Sequence, residues 1–388
     1  MALINLRNAM MAGKRLPYDA EVEYLEGTGT QYINTGVNYF ADFEITVKLR
    51  ENVQNITLKS APADRLERIS ATDPNWRFRS NAAGIYNTTV PITELHTLTW
   101  KDGKAYSDGN FLNDWTKGFP TGTMCVFGDA RAHYPAMVYA LKLWDKNGVL
   151  VRDFIPVRKG TVGYLYDRVS GKLFGNAGTG DFVLGPDVVP VEYIESHGTE
   201  CIDTPWTPDL TTDLQVSGRA GFATTNRGML LSAYNSGSPN NLNISLELYS
   251  DLQFRVYAFA DVFSRFKCAD SVKQMFDYSI AYTALDGLLS CTANGIKASG
   301  TVLTQCRVVN TLPARLGADY RASNRFGLFG PVKVYNPGLL FDFIPVRVGS
   351  GSTWEGAMMD VLTRRIYRND GTGAFTYGND LKYPIPSE

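Results

Sequence analysis

Residues able to do acid–base or nucleophilic chemistry are few in this chain. The histidines are His96, His133 and His197, and none lies in a recognised nucleophile motif. Hydrolysis of a glycosidic bond uses two carboxyl groups facing each other across it. The nearest arrangement is Glu23 with Glu26 and, later, Glu192 with Glu195. Positions three apart on a strand point to opposite faces, which suits a salt-bridged edge better than a nucleophile and its acid. Cys125, Cys201, Cys268, Cys291 and Cys306 are odd in number and show neither a CxxC pair nor a Cys/His metal spacing. They read as buried or free thiols of a protein folded in a reducing compartment. Arg158 and Arg347 sit in two copies of DFIPVR with Asp153 and Asp342. An unpaired buried charge is costly, so each Arg is expected to pair with a nearby Asp. Asn176–Phe182 and Asn369–Phe375 are glycine-rich, but no helix follows either one. A phosphate-cradling loop is excluded, and both read as turns. These residues predict a protein that is not an enzyme.

The elements that position them come in two sets. VEYLEGTGTQYINTG begins at Val22 and VEYIESHGTECIDTP at Val191, a shift of 191 − 22 = 169 positions. DFIPVR recurs at 342 − 153 = 189, and GYLYDRVSGKLFGNAGTGDF from Gly163 matches GAMMDVLTRRIYRNDGTGAF from Gly356. Order is kept while the shift grows, so the second copy has longer loops. A unit this long is a domain and not a solenoid repeat. Phe43, Ile45, Val47 and Leu49 alternate with polar residues, as do Leu242, Ile244, Leu246 and Leu248, which predicts half-buried strands. Asn147-Gly148 marks a hairpin tip after Leu141 and Leu143. Asp102-Gly103, Asp108-Gly109, Asp286-Gly287 and Asn294-Gly295 mark further turns. Many short strands between such turns predict an all-β chain of two tandem antiparallel β-sandwiches of jelly-roll type. The expected division is 1–20 as an N-terminal segment, 21–188 as the first sandwich and 189–388 as the second.

The start of the chain differs from the rest. Leu3, Leu6 and Met10 fall on one face of a short predicted helix, with Arg7, Lys14 and Arg15 and no acid. The segment lacks the continuous apolar core of a secretory signal, so release by lysis fits an extracellular role. It is expected to dock the chain on another subunit through Leu3, Leu6 and Met10. A formal net charge of −1 provides no general drive toward nucleic acid or an anionic membrane, and neither is an expected partner.

The ordered series YLEGTGTQYINTG, LHTLTWKDGKAYSDG, FGDARAHYPAMVYALKLWD, DFIPVR and NAGTGDF resembles the concanavalin A-like lectin/glucanase superfamily in its laminin-G-like form, as found in bacteriophage and gut-bacterial proteins. The resemblance covers about 22–187 and again 191–380. It implies the sandwich fold, and a function drawn from lectins, adhesion modules, hydrolases or structural modules. Hydrolases of that superfamily carry an E-x-D-x-x-E strand, which this chain lacks. Such domains hold calcium at the sandwich rim, so Asp129 and Asp319, each before a late strand, are the metal-site residues the resemblance implies. Calcium is the one cofactor it allows.

Ring faces are the remaining ligand signal, because sugars stack on them. Trp76, Trp115, Tyr134, Trp206, Tyr234, Tyr320 and Trp354 lie in segments that read as loops. Of these, Trp76, Tyr134, Tyr320 and Trp354 are the candidate ligand residues. The expected role is a non-enzymatic virion surface protein of a phage, present in many copies or as a homo-oligomer. It would meet other virion subunits through its N-terminus and host glycans through its loops. The alternatives are a bacterial surface or secreted adhesin and, without paired carboxylates in support, a glycan hydrolase.

Overall fold

A computed structural model describes residues 16–50, 55–60, 64–68, 73–80, 84–115, 122–209, 211–233, 244–258, 261–301, 313–318, 326–336 and 338–381. Leu3, Leu6, Met10, Asp319, Tyr234 and Tyr320 lie outside these residues. Among the described residues the helical content is one 3-10 turn, Ser250–Leu252, and the rest is antiparallel strand and turn. The chain divides into two compact units, the first ending at Val188 and the second running Val189–Leu381.

In the first unit, alternating apolar residues build two sheets whose inner faces share one core. The larger sheet runs in pairing order Asn110–Asp114, Lys104–Ser107, His96–Lys101, Asp42–Lys48, Ala136–Trp144, Leu150–Lys159, Val162–Asp167 and Lys172–Phe174. Leu25–Gly27 pairs with the start of Ala136–Trp144 and with Val183–Leu184. The second sheet has six strands, Ile33–Asn34, Cys125–Val126, Asn55–Ser60, Asp64–Arg68, Asn75–Ser80 and Gly84–Pro91. Phe43, Ile45, Leu98 and Trp100 from the larger sheet meet Leu58, Leu66, Trp76 and Phe78 from the smaller in one buried cluster. That is a β-sandwich.

The second unit repeats the plan. Its larger sheet orders Ile296–Thr301, Leu288–Ala293, Met275–Thr283, Leu214–Gly221, Phe326–Tyr335, Leu339–Ser350, Thr353–Asp360 and Ile366–Tyr367. Its smaller sheet holds Ile202–Asp203, Arg315–Leu316, Gly228–Ser232, Ile244–Tyr249, Gln253–Ala258 and Asp261–Lys267. Leu214, Val216, Ile280 and Phe343 pack against Leu230, Leu246, Phe254 and Val256. The matching central strands carry a register shift in both units, between Val138 and Ala140 and between Gly218 and Ala220. Bulges bend a strand and increase its twist.

Candidate functional site

The residues that recur between the copies close each sandwich on itself. Arg158 forms two bonds to Asp187, at 2.7 and 2.6 Å. Arg347 does the same to Asp380, at 2.6 and 2.8 Å. The GTG turns latch onto the first strands. Asn176 Oδ1 accepts from the Tyr32 N–H, while the Ala177 and Thr179 N–H groups donate to the carbonyls of Tyr32 and Thr30. In the second unit Asn369, Asp370 and Thr372 make the same three bonds with Cys201 and Thr199. Beneath each latch sits one polar anchor. Gln31 Oε1 accepts from the Thr28 and Thr30 N–H groups, and Glu200, 3% exposed, accepts from those of His197 and Thr199. Burial alone would push the Glu200 carboxyl up; its backbone N–H bonds and the Ser196 hydroxyl together hold it below its ordinary value.

The carboxylates are likewise occupied. Glu26 bonds Arg50 at 2.7 and 2.9 Å and Glu195 bonds Lys273 at 2.8 Å, the salt-bridged edge expected from their spacing. Asp129 sits in the short strand Gly128–Asp129. One of its oxygens meets Lys59 Nζ at 2.7 Å and the other accepts from the N–H groups of Arg131 and Ala132. Burial raises its carboxyl, but Lys59 and those N–H groups outweigh burial and hold it below its ordinary value. With its oxygens so engaged, Asp129 works as a turn former. No cluster of three or more His, Cys, Asp or Glu able to hold a metal occurs among the described residues. Asp108, at another turn, accepts from the Thr97 N–H at 3.0 Å and lies 2.6 Å from His96 Nδ1. The described thiols Cys125, Cys201, Cys268 and Cys291 are buried and in no disulfide. Burial, aided by Asp129, pushes Cys125 up to about 11, and burial pushes Cys268 up to about 12.

The rings separate into core and surface. Trp76 corrects its loop reading: it lies in the strand Asn75–Ser80 and is 1% exposed, so no ligand can reach its face. Trp115 and Trp206 are buried as well. Tyr134 is partly exposed, beside the Tyr32–His133 stack with centroids 5.2 Å apart. Trp354 is also partly exposed, and it has company that sequence reasoning missed. The Arg347 guanidinium lies 3.8 Å from its ring centroid and 5.9 Å from that of Tyr377, which is 37% exposed. Trp354 Nε1 donates to the Gly351 carbonyl at 3.0 Å. The Asp380 side chain, on the far side of the Arg347 fork, is 51% exposed. The structure thus brings Trp354, Tyr377 and Asp380 together around Arg347 in the second unit.

The first unit shows which part of this group the fold requires. Arg158 pairs with Gly163 in register as Arg347 pairs with Gly356. Leu184 stands opposite Leu25 where Tyr377 stands opposite Ile194. The hairpin after Arg347 continues through Gly349↔Trp354 and Ser350↔Thr353, beyond the point where the first unit's hairpin has turned. The clasp is therefore complete without either ring.

No family model matches the chain, and no curated protein matches it. Among solved structures, mouse laminin alpha1 domains LG4-5 align over 96% of this chain and 97% of that one, at 12% identity and a TM-score of 0.33. The LG1-3 region of the laminin alpha2 chain aligns over 92% of this chain and 65% of that one, at 11% identity and 0.27. A candidate carbohydrate binding protein from Bacteroides ovatus aligns over 96% of each, at 8% identity and 0.33. At these scores the superpositions are loose. The sandwich assignment rests on the strand pairing and shared cores described above.

Proposed function

We propose that the chain is a non-enzymatic binding protein whose second unit takes a carbohydrate across Trp354 and Tyr377. Arg347 and Asp380, bonded to each other beside the rings, would meet the hydroxyl groups at the sugar's edge. The observation that carries this reading is the comparison between units. The Arg–Asp clasp stands in the first unit with Leu184 and no tryptophan, so the rings of the second are surplus to the fold. Partly exposed rings beside charged edges suit a ligand with an apolar face and a polar rim. Glu26, Glu195, Glu200 and Asp129 are each engaged by a cation or by backbone N–H groups, which supports binding over turnover. A glycan array followed by calorimetry tests the reading. Binding in the millimolar to micromolar range, about 4–8 kcal/mol, is expected. It should fall about tenfold or more in Trp354→Ala with the melting temperature unchanged. An array that stays blank, or a variant that binds as wild type does, refutes it.

The setting belongs to the same proposal. The expectation of a phage virion surface, with Leu3, Leu6 and Met10 docking the chain on its neighbours, is carried as part of this proposal. Retention of the protein in washed, purified particles would support that setting. Fractionation with a bacterial envelope would replace it with the adhesin reading.

A further inference from the structure

We infer that one end of the larger sheet in the second unit, where Leu285, Leu288, Tyr335, Leu339 and Leu340 are exposed, seats residues 1–15 of a neighbouring copy. The inference rests on the docking role proposed for Leu3, Leu6 and Met10 and supplies the surface they would meet. Leu285 is 83% exposed and the other four lie between 37% and 41%. Leu289, Val334 and Phe341 point into the core, so alternation turns Leu288, Tyr335 and Leu340 to the outer face. Tyr335 stands opposite Leu339. Its strand is three steps from that of Leu288, through Leu214–Gly221 and Met275–Thr283. At about 4.8 Å per step, the two apolar groups stand roughly 14 Å apart at the same end of one sheet.

The first unit shows that folding does not require this patch. The Asp108 N–H meets the Thr97 carbonyl as that of Asn294 meets Asp277, which sets the two central hairpins in register. Lys101↔Lys104 then corresponds to Ala281↔Ser290. The first hairpin turns at that pair, whereas the second runs on through Tyr282↔Leu289 and Thr283↔Leu288 and so presents Leu285 and Leu288. Trp144 takes the place of Tyr335, opposite Asp42 and Leu150 as Tyr335 is opposite Gln215 and Leu339. Lys101 Nζ lies 4.5 Å from the Trp144 ring centroid, and Ala281 in its place offers Tyr335 no such cover. A group of exposed apolar side chains added in one copy marks an interface.

Charge selects the occupant. The stretches that form this end, 209–215, 283–288 and 335–341, contain Asp209, Asp213 and Asp286 and neither Lys nor Arg. Two such patches face to face would set carboxylates against carboxylates, and an anionic membrane would be repelled. Residues 1–15 are the complement, with Leu3, Leu6 and Met10 beside Arg7, Lys14 and Arg15 and neither Asp nor Glu. In the expected helix Leu3 and Met10 lie about 10 Å apart along the axis, a span their side chains extend toward both apolar groups. Each copy offers one segment and one seat, so the contact runs head to tail.

Sedimentation of the full chain tests this. Association is expected to grow with concentration and to weaken with salt. The double variant Leu285→Asp/Leu340→Asp and, separately, Leu6→Asp should each associate about a hundredfold or more weakly and melt as wild type does. Leu285→Ser/Leu340→Ser repeats the test should the acidic pair unfold. Mixed together, the seat variant and Leu6→Asp should recover a dimer, because one keeps the segment and the other keeps the seat. A wild-type chain that stays monomeric, a Leu6→Asp chain that associates at full strength, or a mixture that fails to pair would each overturn the inference. If Leu6→Asp blocks incorporation into particles while the seat variant incorporates normally, docking stands and this seat falls, so the two readings fail separately.

Discussion

Glu200 and Gln31 show one position solved twice with different charge. Both accept backbone N–H groups beneath a GTG latch, but only Glu200 can lose a charge. Its folded pKa is depressed, so the stabilisation is fully present above the unfolded carboxylate range and is lost as pH falls through the folded value. Glu200→Gln copies the first unit. It should cost about 1–2 kcal/mol at pH 7, where a charged acceptor is replaced by a neutral one, and much less at pH 3. Thermal unfolding at the two pH values checks this; a gap independent of pH would contradict it. Trp76 makes the opposite point about rings. Because it is enclosed among Leu66, Phe78 and Trp100, Trp76→Ala should remove about 3–5 kcal/mol of stability, read as a lower urea midpoint. Trp354→Ala should leave that midpoint in place.

At the scale of elements, turn glycines divide into those the latch crowds and those it does not. Gly373 has φ +86 and an added Cβ would lie 2.6 Å from Glu200 Oε1, whereas Gly338 has φ +79 with open space around it. Gly338→Ala pays mainly the left-handed backbone term, about 1 kcal/mol. Gly373→Ala adds displacement of a buried carboxylate and should cost about 2–4 kcal/mol. Denaturant midpoints of the two variants give the comparison, and equal losses would mean that the latch yields freely. Much of this level was legible beforehand. The alternation over Phe43–Leu49, the Asn147-Gly148 tip and the DFIPVR hairpins all read directly from residue period and turn type. The strand Asn75–Ser80 did not, because its alternation runs over only Trp76–Arg79, between Pro74 and Ser80-Asn81, too short to stand out from a loop. The partners of Arg158 and Arg347 were equally hidden. Asp187 and Asp380 lie 29 and 33 residues further on, and no local pattern links a strand to the end of its own module. Trp354 was singled out by type, but Tyr377 beside it was not, since contact between two hairpins leaves no trace in spacing.

For the whole molecule, each unit encloses its own core. Expressed separately, 16–188 and 189–381 should each give a strand-rich circular dichroism spectrum and a cooperative melt. Halves that fold only when mixed would contradict two self-contained sandwiches. The segment before Leu16 is the test of the docking proposal. Deleting 1–15 should leave both melts within a few degrees of wild type and abolish incorporation into the assembly, and Leu6→Asp should reproduce the deletion. Normal assembly of the truncated chain would end that proposal.

The buried thiols give this architecture a built-in clock. A buried thiol reacts with a disulfide reagent chiefly when its surroundings open, and burial also pushes Cys125 up to about 11 and Cys268 up to about 12. Cys125 reports from the first sandwich, and Cys201, Cys268 and Cys291 report from three places in the second. With Cys306 replaced by Ser, pulse labelling under native conditions turns each modification rate into a local opening frequency. Mass analysis then ranks which sandwich breathes first, with no probe added to the chain.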